Sequence, residues 1–196
     1  MTMRNQRIVA IAALAVLASG AGPAFAHTGI GHTNGFFAGV SHPFGGLDHL
    51  LAMLSIGIWS ALANKNETGR MWVAPAAFVV AMLLGATLGY LNVALPMVET
   101  AIALSVILLG LMIVARLELP LAVGVLVVAV FAISHGHAHG AEATGSILAY
   151  MAGFAIATAT LHVAGIGLGL ALTNVRYASI AAGTAIAAAG TYLLAA

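Results

Sequence analysis

Apolar runs of about 18 residues or more follow one another to the end of this 196-residue chain, separated by short polar or proline-containing connectors. Each run is long enough to cross a bilayer. In lipid every crossing must satisfy its own backbone hydrogen bonds, so the expected element is the helix. With 62% of residues hydrophobic and 6% charged, no segment is left for a separate soluble domain. The expected fold is all-α, a polytopic membrane protein with six transmembrane helices after a cleaved signal peptide.

Residues 1–26 read as that signal peptide. Arg4 and Arg7 form a positive n-region, Ile8 to Ala18 an apolar core, Gly20, Gly22 and Pro23 a helix-breaking tail, and Ala24-Phe25-Ala26 an A-x-A cleavage signal. Cleavage leaves His27 as the new N-terminus; the alternative is an uncleaved anchor, for which the core is short. Residues 27–42 then form a periplasmic N-terminal segment and 43–196 a six-helix transmembrane domain. The expected spans are 43–63, 71–91, 97–115, 119–140, 145–172 and 177–196. With the N-terminus outside, alternation places Lys65, Arg70, Arg116 and Arg176 in cytoplasmic connectors. These are all the basic residues of the mature chain, as the positive-inside rule requires. The expected location is the bacterial cytoplasmic (inner) membrane, multi-pass, with N- and C-termini periplasmic and membrane lipid around the helices.

Two groups of histidines and carboxylates interrupt this apolar pattern, His42-Pro-Phe-Gly-Gly-Leu-Asp48-His49 and His135-Gly-His-Ala-His139-Gly-Ala-Glu142. Ionisable groups at membrane depth are costly and mark ion or substrate paths by default. The topology puts both groups on the outer side. A first span that begins at Pro43, a residue suited to a first helical position, sets His49 and Met53 on one stripe with Gly46 and His42 at its entrance. Asp48 then points about 100° away, toward a neighbouring helix. In the second group His135, His139 and Glu142 share a face and His137 turns opposite. Gly136 and Gly140 form a small-xxx-small pair, expected to bring spans one and four together or to unwind the helix end.

Imidazole nitrogen with carboxylate oxygen suits Ni2+, Zn2+, Cu2+ and Co2+. The absence of cysteine excludes thiolate and iron–sulfur sites along with disulfides. The two groups also carry a resemblance. They match the H-x5-D-H and H-G-x-A/V-H-G-x-E motifs of the HupE/UreJ family of nickel and cobalt permeases, and Asp48-His49-Leu50-Leu51-Ala52-Met53-Leu54 resembles the family's first span. Ser134 stands where the family usually has Phe, with Phe131 one turn earlier. The resemblance covers the whole chain. It implies a secondary transporter that imports Ni2+, with Co2+ as the alternative, for nickel enzymes such as hydrogenase or urease. The metal is then the transported substrate rather than a prosthetic group. The expected metal ligands are His42, Asp48, His49, His135, His139 and Glu142, with His27, His32 and His162 as accessory positions.

Other features are less specific. His27 and His32 read as an external metal trap or as an ordinary terminus. His162, near midplane in span five, is a transit ligand or a hydrogen-bonded structural group, and Gly165, Gly167 and Gly169 beyond it suit close packing or a flexible gate. Glu99 reads as an interfacial or helix N-terminal charge, with a metal role as the alternative, and Met53 as packing. A formal net charge of +1 gives no basic surface for nucleic acid. Lys65, the sole lysine, lacks a phosphate-loop context, so no ATPase is evident in this chain. The rival readings are an intramembrane His/Asp zinc hydrolase using metal-activated water, and a di-haem cytochrome with paired axial histidines. The sequence does not fix the oligomeric state.

Overall fold

The computed structural model describes residues 35–143 and 145–196. The signal segment, its cleavage site, His27 and His32 lie outside the described residues. Among those described the chain is helical, with no strand: α1 Gly35–Ser41, α2 Leu47–Ala63, α3 Val73–Tyr90, α4 Val98–Ala115, α5 Leu121–Ala141, α6 Ile147–Leu172 and α7 Arg176–Ala195. Short 3-10 turns, His42–Phe44 and Arg70–Trp72, precede α2 and α3. Five helices, from Arg70–Tyr90 through Arg176–Ala195, are long and apolar enough to cross a membrane. The remaining candidate is the pair Gly35–Phe44 and Leu47–Ala63, bent by 79° at its break.

That bend corrects the expected start of the first span. Pro43 occupies a 3-10 turn rather than the first turn of α2, and the extended backbone of Gly46 (φ −119°, ψ 131°) starts the new helix at Leu47. Gly46 is confined to a small residue, because a Cβ there would run into the Asp48 carboxylate and crowd the His49 ring. Elsewhere the elements end where local chemistry dictates. Arg116 closes α4 in the left-handed region (φ 48°). Pro120 disfavours helix at Leu119 and delays α5 to Leu121.

The helices associate through backbone contact at small residues. Gly136 and Gly140 on α5 press against the carbonyl oxygens of Met82 and Ala86 on α3, so closely that a Cβ at either would overlap them. The expectation that these glycines join spans one and four is therefore corrected: their partner is span two, and α5 stays helical through both. Gly57 on α2 meets the backbone of α6 at the His162 carbonyl, and Gly165 and Gly169 meet α2 in return. Those two glycines serve packing, whereas Gly167 faces open space. Gly110 and Gly183 join α4 to α7, and Gly39 and Gly153 join α1 to α6. The register runs parallel for α3 with α5 and for α2 with α6, and antiparallel for α4 with α7. These directions agree with alternate crossing.

Hydrogen bonds tie one end of the bundle. Trp59 donates from Nε1 to the Leu117 carbonyl at 2.8 Å. Arg116 donates to the Thr173 and Leu172 carbonyls at 2.9 and 3.0 Å and to the Ser179 hydroxyl. The connectors that carry Lys65, Arg70, Arg116 and Arg176 therefore gather at one end, and the two histidine groups lie at the other.

Candidate metal centre

Two helices and a turn carry the histidines that come together. The 3-10 turn that carries His42 is held over α6 by α1, whose Gly39 sits against the Tyr150 backbone. His49 lies in the first turn of α2. His135 and His139 lie one turn apart near the end of α5, whose position is fixed by the Gly136 and Gly140 contacts with α3. The rings form a row: His42 to His139 at 4.4 Å between centroids, His139 to His49 at 4.1 Å, and His49 to His135 at 4.8 Å. Spans one and four thus meet through imidazoles, where they were expected to meet through glycines.

The row has two ends of different character. At the outer end, ligand atoms of His42, His139 and Glu142 all lie within 4.8 Å of one another, close enough to hold one metal ion. His42 Nε2 is 3.6 Å from a Glu142 carboxylate oxygen, and their side chains are 29% and 39% exposed, which leaves this end open to solvent. At the inner end His49 and His135 are buried, and each is oriented by a hydrogen bond from one ring nitrogen. Asp48 Oδ1 accepts from the His49 backbone N–H at 2.8 Å and pairs with His49 Nδ1 at 2.7 Å. A carboxylate accepts only, so in the neutral ring Nδ1 carries the proton and Nε2 keeps the lone pair. Ser105, on α4, acts likewise on His135. Its hydroxyl proton goes to the Ile102 carbonyl at 2.6 Å, so toward His135 Nε2, 2.9 Å away, the oxygen is the acceptor. His135 Nδ1 is left with its lone pair.

The freed atoms have nothing to bond. His49 Nε2, His135 Nδ1 and both ring nitrogens of His139 are buried with no hydrogen-bond partner among the described residues. Unpaired buried polar atoms cost about 1–3 kcal/mol each. Unpaired nitrogens on neighbouring rings are the arrangement expected where a metal ion replaces missing partners. The walls are apolar, with Phe154 against His139 at 4.1 Å, Tyr150 beside His42 at 5.8 Å, and Phe78 beneath His135 at 5.8 Å.

Of the six ligand candidates, the four histidines lie in one row, with Asp48 on His49 and Glu142 beside His42, and among the described residues only His42, His139 and Glu142 bring ligand atoms close enough for one ion. Asp48 does not reach a neighbouring helix; it turns back onto His49, holding that ring as a carboxylate partner holds a metal-bound histidine. His137 turns away as expected, its Nε2 donating to the Val93 carbonyl at 2.7 Å. Ser134 interrupts neither α5 nor its glycine contacts. Met53 is fully buried in the apolar core, and Glu99 sits exposed in the first turn of α4. His162 is buried away from the row. Ser105 and Phe78 were not expected at the site. A serine on an apolar helix at small-residue spacing from nothing in particular carries no local signal, and neither does a core phenylalanine.

Comparison with known proteins agrees with the motif reading. A protein-family model described as "HupE / UreJ protein" matches residues 13–193. The curated Protein HupE of Rhizobium leguminosarum bv. viciae is 45% identical over 188 residues, covering 91% of this chain and 94% of that protein. No solved structure matches the chain. Neither match lends support to the hydrolase alternative.

Proposed function

This chain belongs to the HupE/UreJ family, and from that premise we propose that it is a six-span permease carrying Ni2+, or Co2+ as the alternative cargo, from the periplasm into the cytoplasm for nickel-enzyme maturation. The observation that carries the reading is the row of four imidazoles from two distant sequence motifs, solvent-open at His42 and Glu142 and lined inward by unpaired nitrogens of His139, His49 and His135. An ion captured by His42, His139 and Glu142 exchanges water for imidazole as it moves along the row. Glu142 offsets its charge, and Asp48 and Ser105 keep lone pairs of His49 and His135 directed to it. Overlapping ligand sets let the ion move without being fully released, and no single set is strong enough to trap it.

Orientation follows from charge. The four mature basic residues gather at the end away from the histidines, and placing that end in the cytoplasm satisfies the positive-inside rule. The bent pair α1–α2 completes the sixth crossing, and a cleaved signal peptide of 26 residues precedes it. His27 and His32 serve as an outer trap in this scheme. The test is gene-dependent accumulation of radioactive nickel in intact cells, with cobalt, zinc and copper as competitors. The expected result is nickel uptake suppressed by cobalt more than by zinc. Equal accumulation with and without the gene defeats the proposal.

A further inference from the structure

His162 lies on α6, eight residues past Phe154, which places it about 12 Å deeper than the level at which Phe154 touches His139. It is 2% exposed, and both its ring nitrogens are buried with no hydrogen-bond partner among the described residues. A structural histidine in an apolar span ordinarily pays for its burial by bonding at least one nitrogen, and this one does neither. Its backbone is fixed, because the His162 carbonyl is the point at which Gly57 of α2 meets α6.

One residue separates it from the outer row. The Phe78 ring lies 5.8 Å from the His135 ring on one side and 5.2 Å from the His162 ring on the other, meeting the latter edge-on at 85°. Phe78 and Met82 share a face of α3, and Thr158 and His162 share a face of α6. The two faces meet where the Thr158 hydroxyl donates to the Met82 sulfur at 3.6 Å. The sequence His139, His49, His135, Phe78, His162 is therefore continuous ring contact leading into the membrane.

We propose that His162 is a second, deeper binding position for a divalent first-row transition-metal ion, reached from the outer imidazoles past the edge of Phe78. This rests on the reading of the outer row as the capture site and deepens it. With one imidazole in place of several, the deeper position holds the ion loosely, as a point from which it must leave requires. Phe78 keeps the two positions from merging into one tight multi-imidazole site.

The test uses the full chain with Ni2+ alone as probe, and measures both equilibrium binding to detergent-purified protein and initial uptake into proteoliposomes. His162→Leu fills the space without a ligand atom, and His162→Gln retains a polar amide. Both variants are expected to bind Ni2+ at the outer row as the unaltered chain does. His162→Leu should lose uptake by about ten-fold or more, with His162→Gln intermediate. Unchanged uptake in His162→Leu at equal protein overturns the proposal and leaves the imidazole as packing. Loss of binding in both variants also overturns it, by making His162 part of the scaffold. If only the leucine variant loses binding, the glutamine variant decides: slowed uptake with intact binding supports the proposal, and unchanged uptake overturns it. An unaltered chain that binds no Ni2+ brings down the outer-site reading and this proposal together. Intact binding with uptake indifferent to His162 brings down this proposal alone.

Discussion

Ser105 and His135, thirty residues apart on α4 and α5, share a 2.9 Å hydrogen bond whose direction is fixed, because the serine's only proton is already given to the Ile102 carbonyl. The serine therefore sets which imidazole nitrogen of His135 keeps its lone pair. Ser105→Ala should weaken Ni2+ binding by about ten-fold, the lower end of what losing an orienting partner costs a metal-bound histidine. Ser105→Thr, which keeps the hydroxyl, should restore most of it. Equilibrium binding with purified protein measures this, and unaltered affinity in the alanine variant removes Ser105 from the mechanism. Nitrogen-15 shifts of His135 provide a direct check, since loss of the serine should release the ring into a mixture of tautomers.

Within five residues of α5 the structure separates three histidines. His135→Ala and His139→Ala should each cripple uptake at low nickel, whereas His137→Ala, which loses only a bond to the Val93 carbonyl, should retain most of it. Equal losses in all three at matched expression describe a histidine-rich chelating loop and reject the inward-facing pair.

His49→Ala should abolish nickel accumulation without lowering the amount of protein in the membrane. Asp48→Asn should do less. The amide oxygen can still accept from His49 Nδ1, but the charge that strengthens the bond is gone, so affinity should fall by about 10- to 100-fold. Binding isotherms for the two variants settle the order, and an asparagine variant as inert as His49→Ala makes Asp48 a direct ligand.

The chain has no cysteine, which makes single-cysteine labelling clean. A cysteine at exposed Asn66 should resist a membrane-impermeant thiol reagent in intact cells, and one at exposed Ala141 should react. The reverse pattern rejects inward transport through the histidine end.

Gly136→Ala and Gly140→Ala force a Cβ onto the carbonyl oxygens of Met82 and Ala86 and should cost about 1–3 kcal/mol each, the usual penalty of overpacking. Gly167→Ala meets nothing within 4 Å and should be neutral or slightly stabilising. Thermal unfolding in detergent separates these cases. Equal midpoints for Gly136→Ala and Gly167→Ala show that α3 and α5 are not in backbone contact.

What the sequence made legible was periodic. The inward aim of His135 and His139 and the outward turn of His137 follow from a 100° step per residue, and apolar run length locates the long helices to within a few residues. What it hid was the identity of neighbours. Gly136 and Gly140 announce that some backbone comes close, but the spacing is the same whether that backbone is α2 or α3. Pro43 fits the first turn of an α-helix and a 3-10 turn equally well, and only the following Gly45-Gly46 hinted at a break. Asp48 was placed by its own phase, which ignores the short reach back to the ring of the next residue. Ser105 and Phe78 belong to apolar helices without any local mark, and their roles arise only when α4 and α3 are packed against α5.

The glycine contacts sort the helices into bodies. α3 with α5, α1 and α2 with α6, and α4 with α7 are each in backbone contact, and the first two of these groups meet along a seam. His42 and His49 belong to one side of that seam, and His135, His139 and Glu142 to the other. An ion held across it is a removable cross-link. In the proposed permease each ligand exchange along the row would change how firmly the two bodies are clamped, so that capture and release of the cargo would also lock and unlock the protein.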